Sequence, residues 1–384
     1  MTRIVIIAGE TSGDQLGAGL IEAALKSNPD IQFEGVAGPR MEAAGCKAWF
    51  SCERLAVMGL VEVLKHLRDI LSARREVLDR ILSDPPDLVI GIDAPDFNLP
   101  VEKKCRAAGI PVIHYVCPSV WAWREGRVKN IRAAADHVLC LLPFEPDFLK
   151  KHNVSGEFVG HPLADEIPQP PDQSACREGL ELGEGKVLAV LPGSRMGEVE
   201  KLGDVFAETA ARLAQQYPGL QFVSAFANQK TRDLFESQWS KAFGAAGVEA
   251  PLVISEGNVR EVLGAADAVL VASGTVTLEA MLCGCPMVVA YKVAPFSYWL
   301  ARLLKLMKIE YFSLPNLLAG REMVPERIQH EANPDVLEQE LTKLLSSGDN
   351  NQALKNEFAQ LQGTLRQSAS EKSAAAALRF TSGD

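Results

Sequence analysis

Carboxylates and hydroxyls stand beside glycines at two places in the first half of this chain. In the second half, a guanidinium and a hydroxyl-rich turn do so at two more. Gly9-Glu10-Thr11-Ser12-Gly13-Asp14 lets backbone come close to a ligand while offering negative charge, which suits hydroxyls or an amine better than a pyrophosphate. A tight turn with a helix N-cap is the plainer reading. Gly91-Ile92-Asp93-Ala94-Pro95-Asp96-Phe97-Asn98 follows the apolar run Leu88–Ile90. Asp93 there stands at a strand end, where low dielectric raises a carboxyl pKa and suits it to act as general base. A turn-capping aspartate is the alternative, and Asp96 and Asn98 are expected to cap the next helix. Pro192-Gly193-Ser194-Arg195 carries a guanidinium able to grip phosphate oxygens in bidentate fashion. Ala272-Ser273-Gly274-Thr275, opening into Val276-Thr277-Leu278-Glu279, joins a strand to a helix start, whose free N–H groups and dipole favour an anion. Glu279, about one turn on, would repel a phosphate but could accept hydrogen bonds from the two hydroxyls of a ribose.

Such groups need strands to hold them. Apolar runs predict strands at Ile4–Ala8, Phe33–Ala37, Leu88–Ile92, Pro111–Val116, His137–Leu141 and Phe158–Val159, with helical segments between, including one from about Asp14 to Lys26. That alternation predicts a parallel, doubly wound α/β domain over 1–165, with its ligand crevice at the carboxyl ends of the strands. Gly160-His161-Pro162 and the prolines at 168, 170 and 171 read as a linker. The alternation restarts with Val187–Leu191, Gln221–Ala225, Leu252–Ile254, Val269–Val271 and Pro286–Tyr291, a second such domain over 166–345 that would hold a nucleotide diphosphate. The tail 346–384 reads as helices packing back on the first domain. His114 and the loop Pro118-Ser119-Val120-Trp121-Ala122-Trp123-Arg124 could serve a sugar or acyl chain, or simply pack.

Composition narrows the class. Apolar residues at 47% and charged residues at 23% describe an ordinary globular protein, and a net charge of −10 argues against nucleic acid as a partner. Eight scattered cysteines lack the spacing of a zinc site and read as reduced thiols in a cytoplasmic protein. Two segments are both basic and apolar. Val61, Val63, Leu64 and Leu67 lie among Lys65, Arg68, Arg74 and Arg75. Trp299 lies beside Arg302, Lys305 and Lys308, three residues apart. Together they predict contact with an anionic membrane surface. The alternatives are a helix packed on the sheet for the first, and a buried interdomain or homodimer helix for the second.

The motifs resemble one family in particular. Those quoted above, with Val36-Ala37-Gly38-Pro39-Arg40-Met41 and Ser313-Leu314-Pro315-Asn316-Leu317-Leu318-Ala319-Gly320-Arg321, are similar to lipid-A-disaccharide synthases, in order, from the first strand to about residue 325. The resemblance implies the GT-B architecture, two Rossmann-like domains facing each other across a cleft. It implies transfer of the sugar of UDP-2,3-diacylglucosamine to 2,3-diacylglucosamine 1-phosphate (lipid X), with inversion, giving a β-1,6 disaccharide 1-phosphate and UDP. Asp93 would be the base, with Glu10 in reserve as base or acceptor ligand, and Ser12 would help position the sugar. Arg195 and Asn316 would bind phosphate groups. Ser273, Gly274 and Thr275 would hold the pyrophosphate through backbone N–H groups, and Glu279 the ribose. No cofactor or metal is implied, since helix dipole and cations neutralise the leaving UDP. The protein would lie on the cytoplasmic face of the inner membrane. The competing readings are a UDP-sugar 2-epimerase or other UDP-sugar enzyme of this architecture, which would need no lipid-seeking helices, and a catalytically inert nucleotide-sugar sensor, which would tolerate Asp93→Asn.

Overall fold

The computed structural model describes residues 2–55, 60–122, 125–292, 310–346 and 348–381, and side chains throughout these except at 60–67 and 348–350. The chain divides into two compact units, Met1–Asp165 with Leu365–Asp384, and Glu166–Thr364.

The first unit is built on seven parallel strands. They are β1 (Arg3–Ala8), β2 (Gln32–Ala37), β3 (Cys46–Ser51), β4 (Leu88–Ile92), β5 (Val112–Tyr115), β6 (His137–Cys140) and β7 (Gly156–Phe158). Their order is β3-β2-β1-β4-β5-β6-β7, so winding reverses between β1 and β4. Every residue of β4, β5 and β6 is buried, as expected of strands covered on both faces. Helix α1 (Thr11–Ser27) follows β1, α2 (Pro39–Ala43) follows β2, α3 (Leu60–Ser83) precedes β4, and α4 (Pro95–Ala107) follows it. Leu20, Ile21 and Ala24 of α1 and Val77 and Ile81 of α3 pack into the same core. Val61, Val63, Leu64 and Leu67 fall within α3, but their side chains lie outside the described residues.

The second unit repeats the plan with β8 (Val187–Leu191), β9 (Gln221–Phe226), β10 (Leu252–Glu256), β11 (Ala268–Ala272), β12 (Met287–Tyr291) and β13 (Glu326–Ile328). The order β10-β9-β8-β11-β12-β13 reverses between β8 and β11. β8 and β11 are buried along their whole length and pair in parallel from Ala268 opposite Leu188 to Val271 opposite Leu191. Residues 293–309, and with them Trp299, Arg302 and Lys305, lie outside the described residues.

The tail is shared between the units. Helix Gly348–Leu365 lies almost wholly within the second, where Phe358 is buried. Helix Ala369–Thr381 belongs to the first, packs on α1 and adds Ala374, Ala376 and Ala377 to its core. The carboxylate of Asp165 accepts the N–H groups of Ser368 (3.0 Å) and Ala369 (2.7 Å), capping that last helix.

Candidate active site

Both motif pairs fall where winding reverses. In the first unit, the β1–α1 turn and the β4–α4 turn meet at the carboxyl ends of adjacent strands, the place where open α/β sheets form a crevice. The turns touch: a Cβ at Gly9 would stand 2.3 Å from the Cβ of Ala94, so only glycine fits there. The contact brings Glu10, half-buried, and Asp93, half-buried, onto neighbouring turns. Helix α1 begins at Thr11, three residues earlier than the sequence suggests, with Glu10 as its N-cap. Ser12 therefore lies exposed in the first turn, beside the outward N–H groups of a 17-residue helix.

Asp93 and Ala94 have φ of +49° and +42°, and Val116, just past β5, has φ of +80°. Three non-glycine residues in the left-handed region at adjacent strand ends, one of them β-branched, store strain that the surrounding structure must hold. What holds Asp93 is visible. Its N–H donates to the carbonyl of Tyr115 (2.8 Å), and its own carbonyl accepts the Asn98 side-chain amide (2.8 Å). Asn98 is thus no helix cap. It is fully buried, and its Nδ2 also reaches the carbonyls of Ile92 (3.1 Å) and Ile7 (3.4 Å). Asp96 caps nothing either, and its carboxylate pairs with Arg127 at 2.6 Å.

Other polar residues near these turns prove structural. Asp14 is buried and accepts the N–H groups of Gly38 (2.8 Å), Arg40 (3.0 Å) and Met41 (3.0 Å), fastening α2 to α1. Trp121 donates to Glu145 (3.1 Å) and meets Phe144 edge-on. Cys117, Cys140 and Glu145 lie within 4.8 Å of one another and are all buried. Both oxygens of Glu145 already accept N–H groups, from Trp121 and Leu142, so the trio is a closed packing cluster. Trp123 and Arg124 lie outside the described residues.

In the second unit a cavity of about 470 Å³ opens at the β8/β11 reversal, lined by the turns after both strands and by Phe226 and Gly257. The N–H of Ser273 donates to the carbonyl of Ala290 (3.0 Å), so it is not a phosphate donor as expected, but part of the sheet. The donors left at the turn move on by one residue, to Gly274, Thr275 and Val276, whose N–H groups have no partner among the described residues. In the β8 turn, Glu198 Oε2 takes the N–H groups of Ser194 (3.1 Å) and Arg195 (3.3 Å). The exposed Arg195 guanidinium, 3.8 Å from Glu198 Oε1, is then the group that this turn can offer an anion.

Glu279 lies in the cavity wall, mostly buried, 3.7 Å from Arg260, which also pairs with Glu166 at 2.6 Å. Burial pushes its carboxyl above the usual range, and Arg260 pulls it part of the way back. Asn316, expected on phosphate, is instead fully buried and wholly engaged. Its Nδ2 donates to the Val324 carbonyl (2.9 Å) and Glu326 (2.8 Å), while its Oδ1 accepts Met323 N–H (2.7 Å) and Val324 N–H (2.9 Å). An amide has two donors and one acceptor oxygen with two lone pairs, so nothing remains for a ligand. Sequence reasoning missed Arg260 and Glu198. The Glu three residues after Arg195, at a helix start, was a signal for the second, whereas nothing local marked the first.

Residues 4–380 match the lipid-A-disaccharide synthetase family. The chain belongs to that family. It is 50% identical to a lipid-A-disaccharide synthase of Aeromonas hydrophila over 375 residues, covering 97% of each chain. To the one from Alkalilimnicola ehrlichii it is 46% identical over 385 residues, covering 100% of this chain and 99% of that one. Family membership makes the protein a glycosyltransferase of lipid A biosynthesis and favours that reading over the epimerase. Solved structures share its fold at low identity. The calicheamicin glycosyltransferase CalG4 matches with a TM-score of 0.59 at 15% identity, covering 100% and 98% of the two chains. A Neisseria meningitidis UDP-GlcNAc 2-epimerase bound to UDP-GlcNAc matches at 0.62 and 13%, covering both chains fully. The fold is GT-B.

Proposed function

We propose that this family member joins UDP-2,3-diacylglucosamine to 2,3-diacylglucosamine 1-phosphate, releasing UDP. The observation that carries the reading is near-complete coverage by lipid-A-disaccharide synthases at close to half identity. In the step itself, Asp93 removes the proton of the acceptor's 6-hydroxyl as that oxygen attacks C1 of the donor from the face opposite UDP. The C1–O6 bond forms, the bond from C1 to the UDP oxygen breaks, and UDP departs with the electron pair. Glu10 and Ser12, on the neighbouring turn, hold the acceptor sugar. Arg195 and the N–H groups of Gly274, Thr275 and Val276 stabilise the charge that develops on the pyrophosphate, and Glu279 holds the ribose hydroxyls. The strained backbone at 93–94 and the UDP-GlcNAc bound to a protein of the same fold support these assignments.

Both substrates carry acyl chains, and we assign the apolar, basic start of α3 and the 296–308 segment to the surface of an anionic membrane. That association would bring the protein to the inner membrane's cytoplasmic face.

The test is UDP release from the diacylated donor with and without lipid X. Acceptor-dependent release that falls at least ~100-fold in Asp93→Asn, with UDP binding retained, is the expected outcome. Acceptor-independent turnover would point to an epimerase-type activity. Full activity in Asp93→Asn would remove Asp93 as the base.

A further inference from the structure

Beneath Asp93 lies a set of buried polar groups that the transfer step, as described, does not use. We propose that Asn98, Glu102 and His114 form a positioning network for Asp93, and that the His114–Glu102 pair sets the field in which its carboxylate works. The inference rests on the reading of Asp93 as base.

Geometry assembles the network in three steps. Gly91 stands opposite His114 on β5, so the two share one face of the sheet, two residues before Asp93 along the chain. The lack of a side chain at 91 is filled from above: a Cβ there would come within 2.0 Å of Glu102 Oε1. That same oxygen lies 2.6 Å from His114 Nδ1. Glu102 and Asn98 are one turn apart on α4 and project from the same side of it. One is bonded to the β5 histidine; the other ties the carbonyls of Ile7, Ile92 and Asp93 together. The helix is thus keyed to the two strand ends that carry Gly9 and Asp93.

All three side chains have no solvent exposure. Each keeps one polar atom without a partner among the described residues: Asn98 Oδ1, Glu102 Oε2 and His114 Nε2. A core selected for stability alone gains little from such a cluster, because apolar side chains of similar volume usually hold as well or better. Its charge is aimed at one place. Burial alone would drive the imidazole neutral, but Glu102 and Asp93 outweigh it, so the ring holds its proton more firmly than usual. The facing groups are Glu102 on α4 and Asp93 at the end of β4, while the register partner on β6 is the apolar Val138. In its protonated form the ring attracts the Asp93 carboxylate and so restrains where it points. Asn98 holds the backbone on which that carboxylate is mounted.

The experiment compares the full-length Glu102→Gln and Asp93→Asn variants with the parent. Glu102→Gln keeps the shape and removes the charge. Expected is a kcat lower by about tenfold or more, with KM for both substrates within about twofold and UDP binding unchanged. A merely structural role would not split kcat from KM in this way. Independently, the His114 ring is titrated by nitrogen-15 NMR in the parent and in Asp93→Asn. Its titration midpoint is expected to fall in the variant, and this measurement stands even if Glu102→Gln does not fold. Parent-like kcat in folded Glu102→Gln, or a His114 titration indifferent to Asp93→Asn, overturns the network while leaving Asp93 as base. Full turnover in Asp93→Asn overturns the base assignment, and with it the purpose of the network.

Discussion

Glu145 illustrates how far a single burial can move a group. Enclosed beside Cys117 and Cys140, its carboxyl is pushed up to about 7, because loss of hydration outweighs the N–H bonds it accepts from Leu142 and Trp121. The folded state therefore binds a proton that the unfolded chain, near 4.5, has already released between those two values. Stability from this group is present below the unfolded pKa and is lost as pH rises through about 7. Glu145→Gln should remove that dependence. Chemical denaturation at pH 5 and pH 8 is expected to show the variant gaining on the parent at the higher pH, by ~1–3 kcal/mol. An identical pH slope in both proteins would contradict the assignment. The residue scale is also where sequence and structure part most sharply. Asp93, Glu10 and Arg195 could be singled out because carboxylates and guanidinium beside glycine turns have few structural uses. Asn316 could be singled out as a polar residue amid apolar neighbours and proved structural, since its partners, the backbone of 323 and 324 and the Glu326 carboxylate, are displayed by no motif.

At the scale of elements, the central strands were legible because burial on both faces leaves continuous apolar runs, as in Leu88–Ile92 and Ala268–Ala272. β3 (Cys-Lys-Ala-Trp-Phe-Ser) and β13 (Glu-Arg-Ile) escaped. Both are edge strands of their sheets, so neither needs an apolar pattern. The sequence places the start of α1 late because Thr11 and Ser12 carry no apolar periodicity, whereas the structure makes Glu10 the N-cap. Gly9, just before it, packs against Ala94 of the β4 turn. That contact is testable. A Cβ at residue 9 has to displace Ala94, a backbone-mounted neighbour in the left-handed region. Gly9→Ala is expected to cost about 1–3 kcal/mol in thermal or denaturant unfolding. It should also lower turnover by more than it weakens UDP binding, because the disturbed element carries Asp93 and the cavity proposed for UDP lies in the other unit. Loss of UDP affinity equal to the loss of turnover would show that the damage is not local.

At the scale of the whole molecule, the chain is two copies of one plan, each reversing its winding at the strands that bear its motifs. Among the described residues no helix is long and apolar enough to cross a membrane. The lipid contact proposed above is tested at α3. Replacing Val63, Leu64 and Leu67 with Ser should release the protein from anionic vesicles in flotation, at least about tenfold, with its circular dichroism retained. Unchanged co-flotation would remove α3 as a contact. The sequence by itself determined the repeated α/β plan, the turns on which chemistry falls and the family, because buried parallel strands and glycine-bounded polar turns are encoded by neighbours along the chain. Only the tertiary structure decided which polar groups remain available for chemistry. Ser273 lost its N–H to β12, Asn316 its whole amide to 323–326, and Asp14 its carboxylate to α2. Gly91 acquired its meaning from Glu102, and Glu279 its partner in Arg260. The reason is physical: a hydrogen bond is satisfied by whatever lies within about 3 Å in space. In a doubly wound sheet those partners come from distant parts of the chain.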